Sequence, residues 1–98
     1  MKEQFHRKNK KLLKNLAQKL GMVKGDYEIR SNKGGNSVMG EVILHHKKLY
    51  IQIFSPYGVM YRNCEGLKDY EGGINCWCRI GDLDKEIYLN VFKKSINR

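Results

Sequence analysis

Cys64, Cys76 and Cys78 are the softest donors in the chain, and together with His45 or His46 they are the residue types that hold zinc. Their spacing works against a metal. A zinc knuckle needs two cysteines bracketing a tight turn. Cys76-Trp77-Cys78 on a strand instead sends both thiols to one face, where cysteine acts as a small hydrophobe. No metal and no cofactor is therefore expected. A metal-independent ribonuclease would need a base, an acid and cations around a scissile phosphate. His6, His45 and His46 titrate in the right range; Lys47, Lys48, Arg62 and Arg79 carry charge; Tyr57 or Tyr61 can orient a phosphate. No spacing ties these groups into one constellation, so catalysis is not the favoured expectation. The run S-N-K-G-G-N-S over residues 31–37 has the glycines of a phosphate loop without the Walker spacing. A strand rather than a helix follows it, so a β-turn is expected. Asp69, Glu71, Asp82 and Asp84 lack the spacing of a calcium loop.

The charge distribution is more informative. The chain of 98 residues has 19 lysines and arginines against 10 acids, for a net charge of +9. Lys2, Arg7, Lys8, Lys10, Lys11, Lys14, Lys19 and Lys24 face one acid, Glu3, within the first 24 residues, and the remainder is nearly neutral. A field this lopsided attracts polyanions and speeds encounter with them. The composition, 41% hydrophobic with 10% aromatic residues, is that of a folded chain. Its length suits one domain with one modest core. No apolar run approaches the roughly 20 residues that span a bilayer, and the basic start has no apolar stretch and cleavage site behind it. Three cysteines fit a closed disulfide framework poorly, so a cytoplasmic protein with reduced thiols is expected.

The elements that must carry these residues can be read from periodicity. Residues 5–20 form an amphipathic helix: Phe5, Leu12, Leu13, Leu16 and Leu20 fall on one face, and Arg7, Lys10, Lys11 and Lys14 on the other. Lys8 and Lys19 lie at the flanks, and Gly21 marks the stop. Strands are expected at residues 27–30, 37–44, 49–54, 59–64 and 74–80. Turns are expected at 32–36, 45–48 and 55–58, and a polar loop at 65–73. Gly40 weakens the second strand or marks a bulge. A helix closes the chain at 82–96, with Asp82 as N-cap and an apolar row of Leu83, Ile87 and Val91 flanked by Tyr88 and Phe92. Short connections favour antiparallel neighbours. The expected fold is a two-layer α+β sandwich, α-β-β-β-β-β-α, with both helices on one face of an antiparallel sheet of about five strands.

Alternation gives that sheet two unlike faces. Leu49, Ile51 and Ile53, with Ile74, Cys76, Cys78 and Ile80, suit the side under the helices. Tyr50, Gln52, Phe54, Asn75, Trp77 and Arg79 fall on the other side. If that face is open, Tyr50, Phe54, Trp77 and Arg79 can stack nucleic-acid bases. The alternative is that Trp77 and Phe54 pack under the 65–73 loop or against a second subunit.

The segments S-N-K-G-G-N-S-V-M-G-E-V (31–42), L-Y-I-Q-I (49–53) and Y-R-N-C-E-G-L-K-D-Y-E-G-G (61–73), about a third of the chain, resemble short uncharacterised proteins of bacterial plasmids, phages and integrated elements. In size, plan and charge the chain is similar in type to anti-CRISPR proteins. That resemblance implies a stoichiometric inhibitor docking on a nucleic-acid-handling host defence complex. The residues themselves point first to a non-enzymatic module for nucleic acid or a nucleoprotein complex. Arg7, Lys8, Lys10, Lys11, Lys14 and Lys19 would contact phosphates. The alternatives are the inhibitor and the ribonuclease. A membrane surface is not an expected partner, because the apolar face of the basic helix is needed for the core and carries no interfacial tryptophan.

Overall fold

Leu13, Leu16, Ala17 and Leu20 recur at helical spacing, and burying each of the leucines is worth about 1.5–3 kcal/mol, which fixes how the first element must lie. The computed structural model describes residues 2–33 and 40–98. Its first helix, α1 (Lys2–Lys19), seats Phe5, Leu13, Leu16 and Ala17 in the core, with Leu20 following just past its end. The helix ends as the sequence suggests. Gly21 takes φ +70°, its N–H reaches Gln18 O at 3.1 Å, and Met22 N–H reaches Ala17 O at 3.0 Å. This is a Schellman closure, and Met22 then packs on the core.

Five strands follow: β1 (Tyr27–Asn32), β2 (Glu41–His46), β3 (Leu49–Ile53), β4 (Gly58–Asn63) and β5 (Cys76–Arg79). They form one antiparallel sheet in the order β1-β2-β3-β4-β5, so every neighbour in space is a neighbour in sequence. A 3-10 turn (Ile80–Asp82) leads to α2 (Glu86–Ile96). The α+β architecture with both helices on one face is as the periodicity implies. Helix α1 lies over β1 and β2, and α2 over β3. The core between them holds Val42 and Leu44 of β2, Leu49, Ile51 and Ile53 of β3, Val59 of β4, Leu83 and Phe92.

Several boundaries differ from expectation. His45 and His46 belong to β2, and Lys47-Lys48 alone make the reversal; both imidazoles are buried and hydrogen-bonded. β1 runs on to Asn32, and β5 starts only at Cys76, leaving Ile74 84% exposed rather than in the core. The expected turn at 32–36 and the start of the expected strand at 37–44 fall partly or wholly outside the described residues. Gly40, just before β2, has φ +77°, and a Cβ there would lie 2.2 Å from Asn32 O, so this position requires glycine. Helix α2 starts four residues later than expected. Lys85, not Asp82, is its N-cap, and Asp82 instead ion-pairs Lys85 at 2.8 Å. The helix is also rotated from the expected row. Tyr88, Leu89, Phe92 and Ile96 face the core, while Ile87 and Val91 face outward.

Phe92 closes this core. It is fully buried and meets the Tyr61 ring edge-on at 5.2 Å. Phe92→Ala should lower unfolding free energy by about 3–5 kcal/mol in urea denaturation, a large share of the stability of a chain this size. A loss below about 1 kcal/mol would show that α2 is not anchored there.

Candidate polyanion-binding surface

The buried stripe of α1 dictates what its other side must do. Arg7, Lys8, Lys10, Lys11 and Lys14 are all exposed on the outer face. Among the described residues none of them lies within ion-pair distance of a carboxylate. Lys19 sits 4.0 Å from Asp84, with both side chains more than half exposed, a contact worth little in water. Arg7 and Lys11, and Lys10 and Lys14, are four residues apart, so like charges stack along the ridge. Each such pair costs an isolated helix about 0.2–0.5 kcal/mol.

Two clefts flank the ridge. The first, about 440 Å³, lies between α1 and β1 and is lined by Arg7, Lys10, Lys11, Lys14 and Lys33, with Glu3, His6 and Ser31. His6 is 2% exposed, and its Nδ1 pairs with Ser31 Oγ. This tie holds the amino-terminal half of α1 against β1 and brings Lys33 beside the ridge. Sequence periodicity misses Lys33 and Ser31, because the docking of α1 beside β1 leaves no local signal. The second cleft, about 410 Å³, lies on the other flank, between α1 and the segment 80–84.

The far face of the sheet is not the open platform that alternation allows. Tyr50, expected as a stacking residue, is 7% exposed. The Arg62 guanidinium lies 4.4 Å from its ring centroid, His45 meets it edge-on at 5.0 Å, and its hydroxyl donates to Gln52 Oε1 at 3.0 Å. The 64–73 segment folds over this cluster. Asp69 builds the turn by accepting N–H bonds from Glu65, Glu71 and Gly72 at 2.9, 3.2 and 2.8 Å. These backbone bonds hold its carboxyl below the usual aspartate range. Arg62 donates to Gly72 O, and Tyr70 sits beside both His45 and Arg30. The loop thus covers Tyr50 and His45, and not Trp77 and Phe54. Trp77 remains 61% exposed and meets half-buried Phe54 edge-on at 5.7 Å, with Arg79 exposed beside them.

The ten residues singled out from the sequence therefore split. Arg7, Lys8, Lys10, Lys11, Lys14 and Lys19 share the outer side of α1. Phe54, Trp77 and Arg79 lie on the opposite side of the sheet, and Tyr50 is sealed under the loop. The groups considered for ribonuclease chemistry are also dispersed. His45 and His46 are buried on opposite faces of β2, and His6 lies beyond the other end of that strand. Lys47 pairs with Asp26 and Lys48 with Glu65, each at 3.3 Å, and Tyr61 packs against Phe92. Among the described residues no group of three or more His, Cys, Asp or Glu is placed to hold a metal. No described helix is long and apolar enough to cross a membrane. Burial raises the Cys64 and Cys78 thiols, the latter to about 11, which keeps both protonated near neutral pH. Comparison with known families, curated proteins and solved structures finds no match to the chain.

His45 carries a consequence for stability. Arg30 cannot accept a hydrogen bond, so the 3.1 Å contact from its Nη2 makes His45 Nδ1 the acceptor. Nε2 then carries the proton and donates to Gly66 O at 2.9 Å. Burial, with the Arg30 charge behind it, pushes the pKa below that of a free imidazole. His46 is lowered too, by burial. A neutral folded imidazole contributes stability fully above the unfolded pKa of about 6.5, and loses it as pH falls below that value. The urea midpoint should therefore drop between pH 7.5 and 5.5, above the range where carboxylates titrate. His45→Gln, which keeps a donor and an acceptor, should flatten that slope. An unchanged slope would remove His45 from the account.

Proposed function

We propose that this protein is a non-enzymatic binding module for nucleic acid, held through its phosphate backbone by α1 and the adjoining edge of β1. The observation that carries this reading is the row of Arg7, Lys8, Lys10, Lys11 and Lys14, exposed and without a carboxylate partner among the described residues. A cationic row tolerated against its own repulsion gains most from a ligand that neutralises it. Lys33 across the cleft extends the same field, so a phosphate chain lying along α1 meets cations from two elements. Contacts of this type position the strand and carry no base sequence.

Binding should weaken steeply with salt. About six phosphate contacts correspond to roughly a thousandfold loss between 50 and 200 mM. The triple variant Lys10→Glu, Lys11→Glu, Lys14→Glu should abolish binding with an unchanged circular-dichroism spectrum, since all three side chains face water. Wild-type affinity in that variant would reject the assignment.

A second reading is a stoichiometric inhibitor of the anti-CRISPR type, which meets a host defence protein. It is favoured by apolar side chains left in water near β5 and on α2, with Ile74 84%, Ile87 68% and Trp77 61% exposed. Pull-down before and after nuclease digestion separates the two. A one-to-one protein complex that survives digestion supports the inhibitor, and a complex that disappears supports the nucleic-acid module.

A further inference from the structure

We infer that the cleft between α1 and residues 80–84 is a pocket for one unstacked base of a single-stranded nucleic acid. The pocket depends on the backbone binding proposed above, because the strand must first lie along the α1 ridge. Its volume, about 410 Å³, is within the range of small-ligand sites and exceeds what a base alone requires. Leu12, Leu16, Ile80 and Leu83 supply apolar walls, with Leu16 and Leu83 almost fully buried. Lys8, Lys11 and Lys19 line the same cleft with a single carboxylate, Asp84.

This composition selects a ligand with a flat apolar body and an anionic attachment, which describes a nucleotide within a strand. Lys11 lines both flanking clefts, so phosphates held along the cationic side pass the mouth of the apolar one. Asn15 and Asp84 supply the polar groups that read a base edge: an amide able to donate and accept, and a carboxylate able to accept from an exocyclic amino group. A base in a duplex is stacked and paired and cannot enter. A base in a single strand is free to turn out. The pocket therefore adds a preference for single strands to a ridge that otherwise holds any phosphate chain.

Gly81 provides the means of testing this. It lines the pocket, and a Cβ added there meets nothing within 4 Å, so a large side chain can be built at the rim of the cleft without displacing the backbone. Fluorescence anisotropy at low salt would compare a labelled oligodeoxyadenylate of about 12 nucleotides, an abasic strand of equal length and the matching duplex. The base-bearing strand should bind about tenfold more tightly than the abasic strand, and Gly81→Trp should erase that difference while elution from heparin stays unchanged. In parallel, methyl NMR signals of Leu12, Ile80 and Leu83 should shift with the base-bearing strand and stay still with the abasic one. Equal binding of all three probes, or static methyl signals, would overturn the pocket while leaving the backbone module standing. Failure of the wild-type protein to hold any of the probes would overturn both.

Discussion

The structure depends on one helix meeting two opposite demands. Burial of Phe5, Leu13, Leu16 and Leu20 is worth about 1.5–3 kcal/mol for each side chain. Repulsion among the cations on the outer face costs a few tenths of a kcal/mol per neighbouring pair. Burial wins by a wide margin, so α1 stays docked with its basic row unneutralised. That imbalance leaves a positive ridge in water, and its rotation is fixed by the core beneath. His6, tied to Ser31 on β1, fixes the amino-terminal half. The Schellman closure at Gly21 fixes the other end. Within this arrangement Asn9 Oδ1 is the one buried side-chain polar atom among the described residues without a hydrogen-bond partner, a cost the burial of the α1 stripe must outweigh.

The opposite side of the sheet is built differently. It carries a second, smaller cluster of Ile43, Tyr50, Cys64 and Met60, closed by a loop rather than by a helix. Hydrogen bonds hold that loop down: His45 to Gly66 O, Arg62 to Gly72 O, and Arg98 to the carbonyls of Lys48 and Cys64. The polar partners reach inward because β2, β3 and β4 place His45, Tyr50 and Arg62 side by side in register. Trp77 and Arg79 lie beyond this cover, on edge strand β5, which explains why a face read as one platform is half sealed and half open.

Much of this was legible in the chain. The α1 stripe, the glycine stop, the five strands and the shared helix face all follow from period and turn chemistry. What escaped was decided by contacts distant in sequence. Ile87 and Val91 fit a helical row as well as Leu89 and Phe92 do, but Tyr88 and Phe92 meet Tyr61 of β4, and α2 turns the second set to the core. Asp82 has the chemistry of an N-cap, but the chain makes a 3-10 turn there before α2 begins. Tyr50 alternates onto the polar face as expected, and its burial comes from a loop whose path depends on Asp69 and on Arg62. The cationic residues of the candidate surface were identifiable individually from their sequence positions. Lys33 was not, because a strand brings it to the ridge.

The outer face of α1 is the proposed working surface. Backbone amide NMR of the labelled protein, titrated with a single-stranded oligonucleotide at low salt, tests it most directly. Shifts should concentrate at Arg7, Lys8, Lys10, Lys11, Lys14 and Lys33, with Phe54, Trp77 and Arg79 unmoved and the core signals intact. A map centred on Trp77, or a spectrum that does not change, would contradict it.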